Sequence, residues 1–253
     1  MTLIVGAIEG DAVTITGDTK VTYDEDAIKT ARVFEEAIPK VILLRDSLAV
    51  GIAGPGPVRM IEDLLKHRDD DILDVLGHLR TETEGAFVVG ALHPARLWEV
   101  HDGKIVEVPA GRRAWAGDEQ AFRDFEMLAD AWGPGTDEYF RLKSSMDQFV
   151  GPRGRSKVVG GFGITAISDS GAFRYAPAPF TIFGTDDLFD TYSGRVIPGG
   201  GSTPGAVGIY VHRAGAGRVF THDQPAHGSK IAAPDIESFI QRARDDYGQT
   251  LAP

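Results

Sequence analysis

Apolar positions fall in short runs along this chain, broken by glycine, proline and charged turns. Leu3 to Ile8 is apolar and Ala12 to Thr16 is β-branched, with the turn Glu9-Gly10-Asp11 between them. A polar stretch from Tyr23 to Glu36 follows, and then Lys40 to Leu44 and Leu48 to Ala53 form a second predicted hairpin across Arg45-Asp46-Ser47. Gly54-Pro55-Gly56-Pro57 ends that pattern. From Val58 to His67 the period changes to helical, with Met60, Ile61, Leu64 and Leu65 on one face. A second helix is expected over Ile72 to Leu79, capped by Asp70 or Asp71.

Strand patterns return at 86–92, 96–100, 104–108 and 113–116, and helical ones at 119–132 and 137–149 around the linker Gly133-Pro134-Gly135. Ser156 to Ser168 and Ala172 to Ala176 read as another strand pair. The tail is less regular: a flexible loop from Pro198 to Gly205, a hairpin at 208–212 and 218–221, and a closing helix over Pro234 to Tyr247. Strands, two helices, strands, two helices and strands again contain no βαβ alternation. The order predicts an α+β chain in which two antiparallel sheets pack together, each covered by a helix pair. No composition shift marks a boundary, so 1–253 reads as a single domain with an atypical C-terminal extension or insertion around 179–253.

Composition narrows the function classes. A chain of 253 residues buries about 70–75% of its unfolded surface without staples. It has no cysteine, which excludes a disulfide framework, a thiolate zinc site and a cysteine nucleophile. A formal charge of −11 disfavours nucleic acid as a partner. The start lacks a signal-peptide pattern and no long apolar run suggests a membrane span, so a soluble cytoplasmic protein is expected.

The chemistry begins at Thr2. Removal of Met1 would give this residue a free α-amine, with a pKa of roughly 7.7–8.0, beside its own hydroxyl. Nucleophile and base would then share one residue. Such a nucleophile needs a cation, an acid to hold that cation, and N–H groups for an oxyanion. Asp18 ends the second predicted strand, Lys40 starts the third and Gly54 ends the fourth, in Ile52-Ala53-Gly54. Lys20 and Lys29 are rival cations. His222-Asp223…His227 is the nearest approach to a metal cluster, but its spacing matches no standard site, and neither metal nor cofactor is expected. Gly160 to Gly163 reads as a bulge or close-packing site, Arg68 to Asp71 as a solvated turn, and Trp98, Trp115 and Trp132 as core.

The opening Thr2-Leu3-Ile4-Val5-Gly6, Asp18 sixteen residues after Thr2, Lys20 and Thr22 behind it, and Lys40 followed fourteen residues later by Gly54 in Ile52-Ala53-Gly54 resemble proteasome β subunits and the bacterial HslV and Anbu proteins. The likeness covers about residues 2–180 in element order, the first 56 most closely. It implies an N-terminal-nucleophile hydrolase with a four-layer αββα sandwich. By that resemblance Thr2 is the nucleophile, Lys40 lowers its hydroxyl pKa, Asp18 orients Lys40, and the Gly54 N–H serves the oxyanion. Lys20 and Thr22 would border the substrate pocket. The implied activity is that of a threonine peptidase acting on a peptide or protein. A homo-oligomer, as a ring or helical assembly, is also implied, with an ATP-dependent unfoldase as candidate partner.

The pattern also departs from the family. The interval from Asp18 to Lys40 is longer, Asp118 stands where a supporting Ser is usual, Ser156 replaces an Asp, and Val159 replaces the Ser that holds the α-amine. An inactive structural or peptide-binding subunit and an acylase or ligase of the same fold therefore stand as alternatives.

Overall fold

The computed structural model describes residues 2–20, 37–150, 159–169, 171–185, 188–212 and 214–252, with side chains left out at 179–185 and 188–193. Its first sheet has the order β10-β9-β2-β1-β8, and its strands are β1 (Leu3–Glu9), β2 (Ala12–Asp18), β8 (Arg113–Gly117), β9 (Gly163–Asp169) and β10 (Ala172–Tyr175). The second runs β3-β4-β5-β6-β7, from β3 (Val41–Arg45) and β4 (Leu48–Ala53) to β5 (Ala86–Ala91), β6 (Arg96–His101) and β7 (Lys104–Glu107). Every pairing in both is antiparallel.

Period-2 alternation sorts the β1 side chains between two cores. Ile4 and Ile8 face the second sheet and join Val13, Ile15, Val41, Leu43, Ala49, Val88 and Leu97. Leu3, Val5 and Ala7 face the other way, onto Phe122, Phe125 and Ala129 of α3 (Glu119–Asp130) and Leu142, Met146 and Phe149 of α4 (Glu138–Val150). The outer face of the second sheet buries Ile42, Val50 and Ile52 against Met60, Ile61 and Leu64 of α1 (Pro57–Leu65) and Val75, Leu76 and Leu79 of α2 (Ile72–Thr81). The layers are therefore helix, sheet, sheet, helix: an α+β, αββα sandwich. Burying a side chain such as Ile4 in the middle layer contributes roughly 1.5–3 kcal/mol. Its close fit requires glycine opposite, because a Cβ on Gly51 would lie 2.3 Å from Ile4 Cγ2. Asp71 caps α2 by accepting the Leu73 N–H at 3.0 Å. Among the described residues, no helix is long and apolar enough to cross a membrane.

The tail corrects the expectation of irregularity. It forms a third antiparallel sheet in the order β11-β12-β13-β14-β15, made of β11 (Ala178–Thr185), β12 (Leu188–Pro198), β13 (Val207–Val211), β14 (Ala216–Thr221) and β15 (Gln224–Ala232). Val196, Val207, Ile209, Val211 and Phe220 join the middle core of the sandwich. The opposite face packs Tyr210, Val219 and Ile231 on Phe239 and Ala243 of α5 (Ile236–Tyr247). The glycine-rich stretch after Pro198 is not a free loop either. The C-terminal residues clamp it, with Gly200 N–H on Thr250 O at 2.7 Å and Ala252 N–H on Pro198 O at 2.9 Å. Expected strand 156–168 begins only at Gly163, and residues 156–158 lie outside the described residues.

Arg68 to Asp71 is a junction rather than a plain solvated turn. Arg68 Nη1 pairs with Asp223 Oδ1 at 2.7 Å and its Nη2 donates to the His222 carbonyl. Arg45 Nη1 reaches Asp70 O at 2.6 Å, and His227 Nε2 meets Glu62 Oε1 of α1 at 2.7 Å. Burial and the Arg68 guanidinium lower the His222 pKa below the ordinary 6.5, against opposing pulls from Asp223, Asp46 and the Leu44 carbonyl. The folded chain thus favours the neutral ring. The stability this contributes is complete above pH 6.5 and is lost as pH falls from there through the folded pKa. The melting temperature is expected to drop more between pH 7 and pH 5 in the parent than in His222→Gln, as read by calorimetry across that range.

Candidate active site

Thr2 precedes β1, a strand flanked by β2 and β8, so its backbone is held from both sides. Its carbonyl accepts the Asp118 N–H at 3.0 Å. This contact requires glycine at 117, where φ is 116° and a Cβ would lie 1.9 Å from the Thr2 oxygen. The Thr2 side chain lies on the Ile4 face of β1, towards the second sheet. Lys40, one residue before β3, enters from that sheet, and its carbonyl accepts the Ile52 N–H at 2.8 Å.

The two sheets therefore meet at these side chains. Lys40 Nζ stands 2.5 Å from Thr2 Oγ1 and donates to Asp18 Oδ1 and Oδ2 at 3.1 and 3.0 Å. All three residues are nearly inaccessible: Thr2 at 5%, Asp18 at 0% and Lys40 at 2% relative exposure. A buried carboxylate needs its remaining lone pairs satisfied. Asp18 Oδ1 also accepts the Leu3 N–H at 3.2 Å, while Oδ2 accepts those of Lys20 at 3.2 Å and Gly160 at 3.4 Å. Burial lowers the Lys40 pKa, Asp18 works in the opposite direction, and the nearby Lys20 charge adds to the lowering. The net shift is downward, so Lys40 gives up its proton more readily than a surface lysine does.

Thr2 and Lys40 open into a cavity of about 1030 Å³, whose walls include Lys20, Gly54, His101, Trp115 and Asp118. Gly54 follows β4 and stands in the same cavity wall as Thr2. The Asp118 carboxylate caps α3 by accepting the Ala121 N–H at 2.7 Å, and its own N–H holds the Thr2 carbonyl. Val159 is buried at 3% exposure in the core under α3 and α4. Thr22, Ser156 and Lys29 lie outside the described residues, as does Met1.

Some of this arrangement had no obvious sequence signal. The Asp118-Glu119 pair before an apolar-periodic run is a helix-start signature, and marks the cap but not the bond to Thr2. Trp115, read as core, stacks on Phe122 at 4.9 Å and also lines the cavity. His101 and Asp102 reach the same cavity from the end of β6, through a turn whose sequence carries no chemical pattern. Of the pair with the nearest metal spacing, the His227 ring pairs with Glu62 of α1, and at 222 it is the backbone carbonyl that receives Arg68.

No protein-family model matches the sequence, and no curated protein sequence matches it. Among solved structures, the chain is similar to eukaryotic HslV from Trypanosoma brucei, with a TM-score of 0.49 and 16% identity over 66% of this chain and 98% of that one.

Removing the cation tests the electrostatics directly. Lys40→Met leaves the Asp18 carboxyl group buried without its ion partner, which is expected to cost about 3–5 kcal/mol of unfolding free energy. Urea denaturation of the variant against the parent reads that loss.

Proposed function

We propose that the chain is a threonine-type amidohydrolase, acting on peptides once Met1 is removed. The observation that carries this reading is the contact of Thr2 Oγ1 with a buried lysine that a carboxylate grips through both oxygens. A threonine hydroxyl ordinarily holds its proton too tightly to attack an amide. An ammonium 2.5 Å away favours the alkoxide, and the freed α-amine is a base of suitable pKa on the same residue.

In the proposed sequence Oγ1 bonds to the substrate carbonyl carbon as its proton passes to the α-amine. The Gly54 N–H, at the edge of the same cavity, is the candidate donor to the resulting oxyanion. Collapse breaks the C–N bond, and the leaving amine takes up the proton. The Thr2 ester that remains is opened by water, which restores the hydroxyl and releases the acid. Lys20 and Thr22 are candidates for contacting the substrate, and Asp118 for supporting the nucleophile through its N–H. The motif resemblance extends the proposal to a homo-oligomer in the cytoplasm, with an unfoldase as candidate partner.

Val159 favours a second reading, that of a peptide-binding subunit without turnover. Its side chain is committed to the apolar core and supplies no hydroxyl to an α-amine at Thr2.

Intact-mass measurement and labelling separate the two. The hydrolase reading expects a mature chain lacking Met1, modification of Thr2 by an amine- and hydroxyl-directed electrophile such as an epoxyketone, and loss of peptide turnover in Thr2→Ala by at least about three orders of magnitude. Retained Met1 with no labelling supports the binding subunit, and undiminished turnover in Thr2→Ala ends the hydrolase proposal.

A further inference from the structure

We infer that Thr19 is a positioning residue for the reaction proposed above, on which this inference rests: its hydroxyl holds in place the backbone turn that donates to Asp18 and keeps it aimed at Lys40. Thr19 follows Asp18 and is fully buried, at 0% exposure. Its Oγ1 accepts the Phe162 N–H at 2.7 Å, the shortest of the backbone-donated bonds around the carboxylate. Its carbonyl accepts the Ile38 N–H at 3.3 Å, two residues before Lys40. One residue therefore ties the end of β2 to two of the segments that supply donors to Asp18: the stretch leading to Lys40 and the turn at 159–162.

That turn lies before β9 and is without strand pairing of its own. Two contacts fix it against β2. Lys20 N–H donates to Gly160 O at 3.1 Å, and Phe162 N–H donates to the Thr19 hydroxyl. The hydroxyl also packs against the turn, since a methyl placed on Gly161 would lie 2.5 Å from it. Fixed in this way, the turn presents the Gly160 N–H to Asp18 Oδ2 at 3.4 Å. This is the longest of the three backbone bonds to that carboxylate, and so the one most sensitive to a small displacement of its donor. Phe162, anchored through its N–H to Thr19, carries its ring into the middle core against Gly194 of β12, where a Cβ would be 2.6 Å from the ring. The third sheet thus backs the turn from behind, while Thr19 holds it from the front.

Valine has nearly the shape of threonine and lacks only the hydroxyl. Thr19→Val leaves the Phe162 N–H without its acceptor in a buried place, a loss large enough to displace the turn. Thr19→Ser keeps the oxygen. Both variants and the parent are to be assayed with one fluorogenic peptide, the turnover of Thr2→Ala subtracted as background, and the remainder divided by the fraction of chains whose Thr2 takes up the epoxyketone. Backbone hydrogen exchange at residues 160–162 is to be followed in parallel.

The expected result is a kcat per labelled site about ten-fold lower in Thr19→Val, with KM within about two-fold. Faster exchange is expected at 160–162 but not in β1 and β2, with both effects reversed in Thr19→Ser. A simple loss of folded protein lowers the labelled fraction and leaves the turnover of each labelled site alone, which would overturn the proposal. Equal impairment in Thr19→Ser and Thr19→Val, or unchanged exchange at 160–162, would also overturn it. A parent without Thr2-dependent turnover defeats the hydrolase reading, and the reaction role of Thr19 with it. A fully active parent with an equally active Thr19→Val defeats the Thr19 role alone.

Discussion

The structure turns on one ion pair removed from water. Bringing the Lys40 ammonium and the Asp18 carboxylate into a dry interior costs several kcal/mol per ion, and their attraction offsets this only when each remaining lone pair and proton has a partner. The surroundings meet that condition. Three backbone N–H groups converge on Asp18, from the start of β1, the residues after β2 and the turn before β9, while Lys40 points its remaining donor capacity at Thr2. Each donor comes from a different segment, so the pair can be satisfied only when both sheets are assembled. The fold and the polarity of the site are thus one requirement seen from two sides.

The sandwich layers were legible because their signals are local. β1 to β4 are short apolar runs separated by tight turns, and α1 shows its buried face as Met60, Ile61 and Leu64 at helical spacing. Of the third sheet only the β13–β14 hairpin was, because β12 and β15 mix glycine, proline and charge. Each pairs with the strand next to it in sequence, and what holds these mixed segments is packing on the middle core and on α5, with the Gly199 to Leu251 bridge behind. Tertiary context of this kind overrides the local propensity on which a reading of glycine-rich segments relies.

The site divides along the same line. Thr2, Asp18 and Lys40 stand at strand ends, where residue order alone suggests convergence at one rim. Backbone donors leave no mark in a sequence, so the Leu3 and Gly160 N–H groups could not be assigned in advance. Thr19 was overlooked because a buried hydroxyl accepting one N–H looks like any strand threonine. Val159 was noticed as a missing hydroxyl, and its environment supplies the reason: it belongs to the same apolar cluster as Leu3, Phe125 and Met146.

Both ends of the described chain are engaged. At the front, the residue before β1 opens into the cavity; at the back, Thr250 to Ala252 are stitched to Pro198 to Thr203, with Leu251 buried. Purification handles, fluorophores or display fusions placed beside Thr2 or Leu251 would therefore compete with native contacts. The exposed Gly133-Pro134-Gly135 connection between α3 and α4 offers a gentler point of attachment, near the Glu9 end of β1 and away from Thr2.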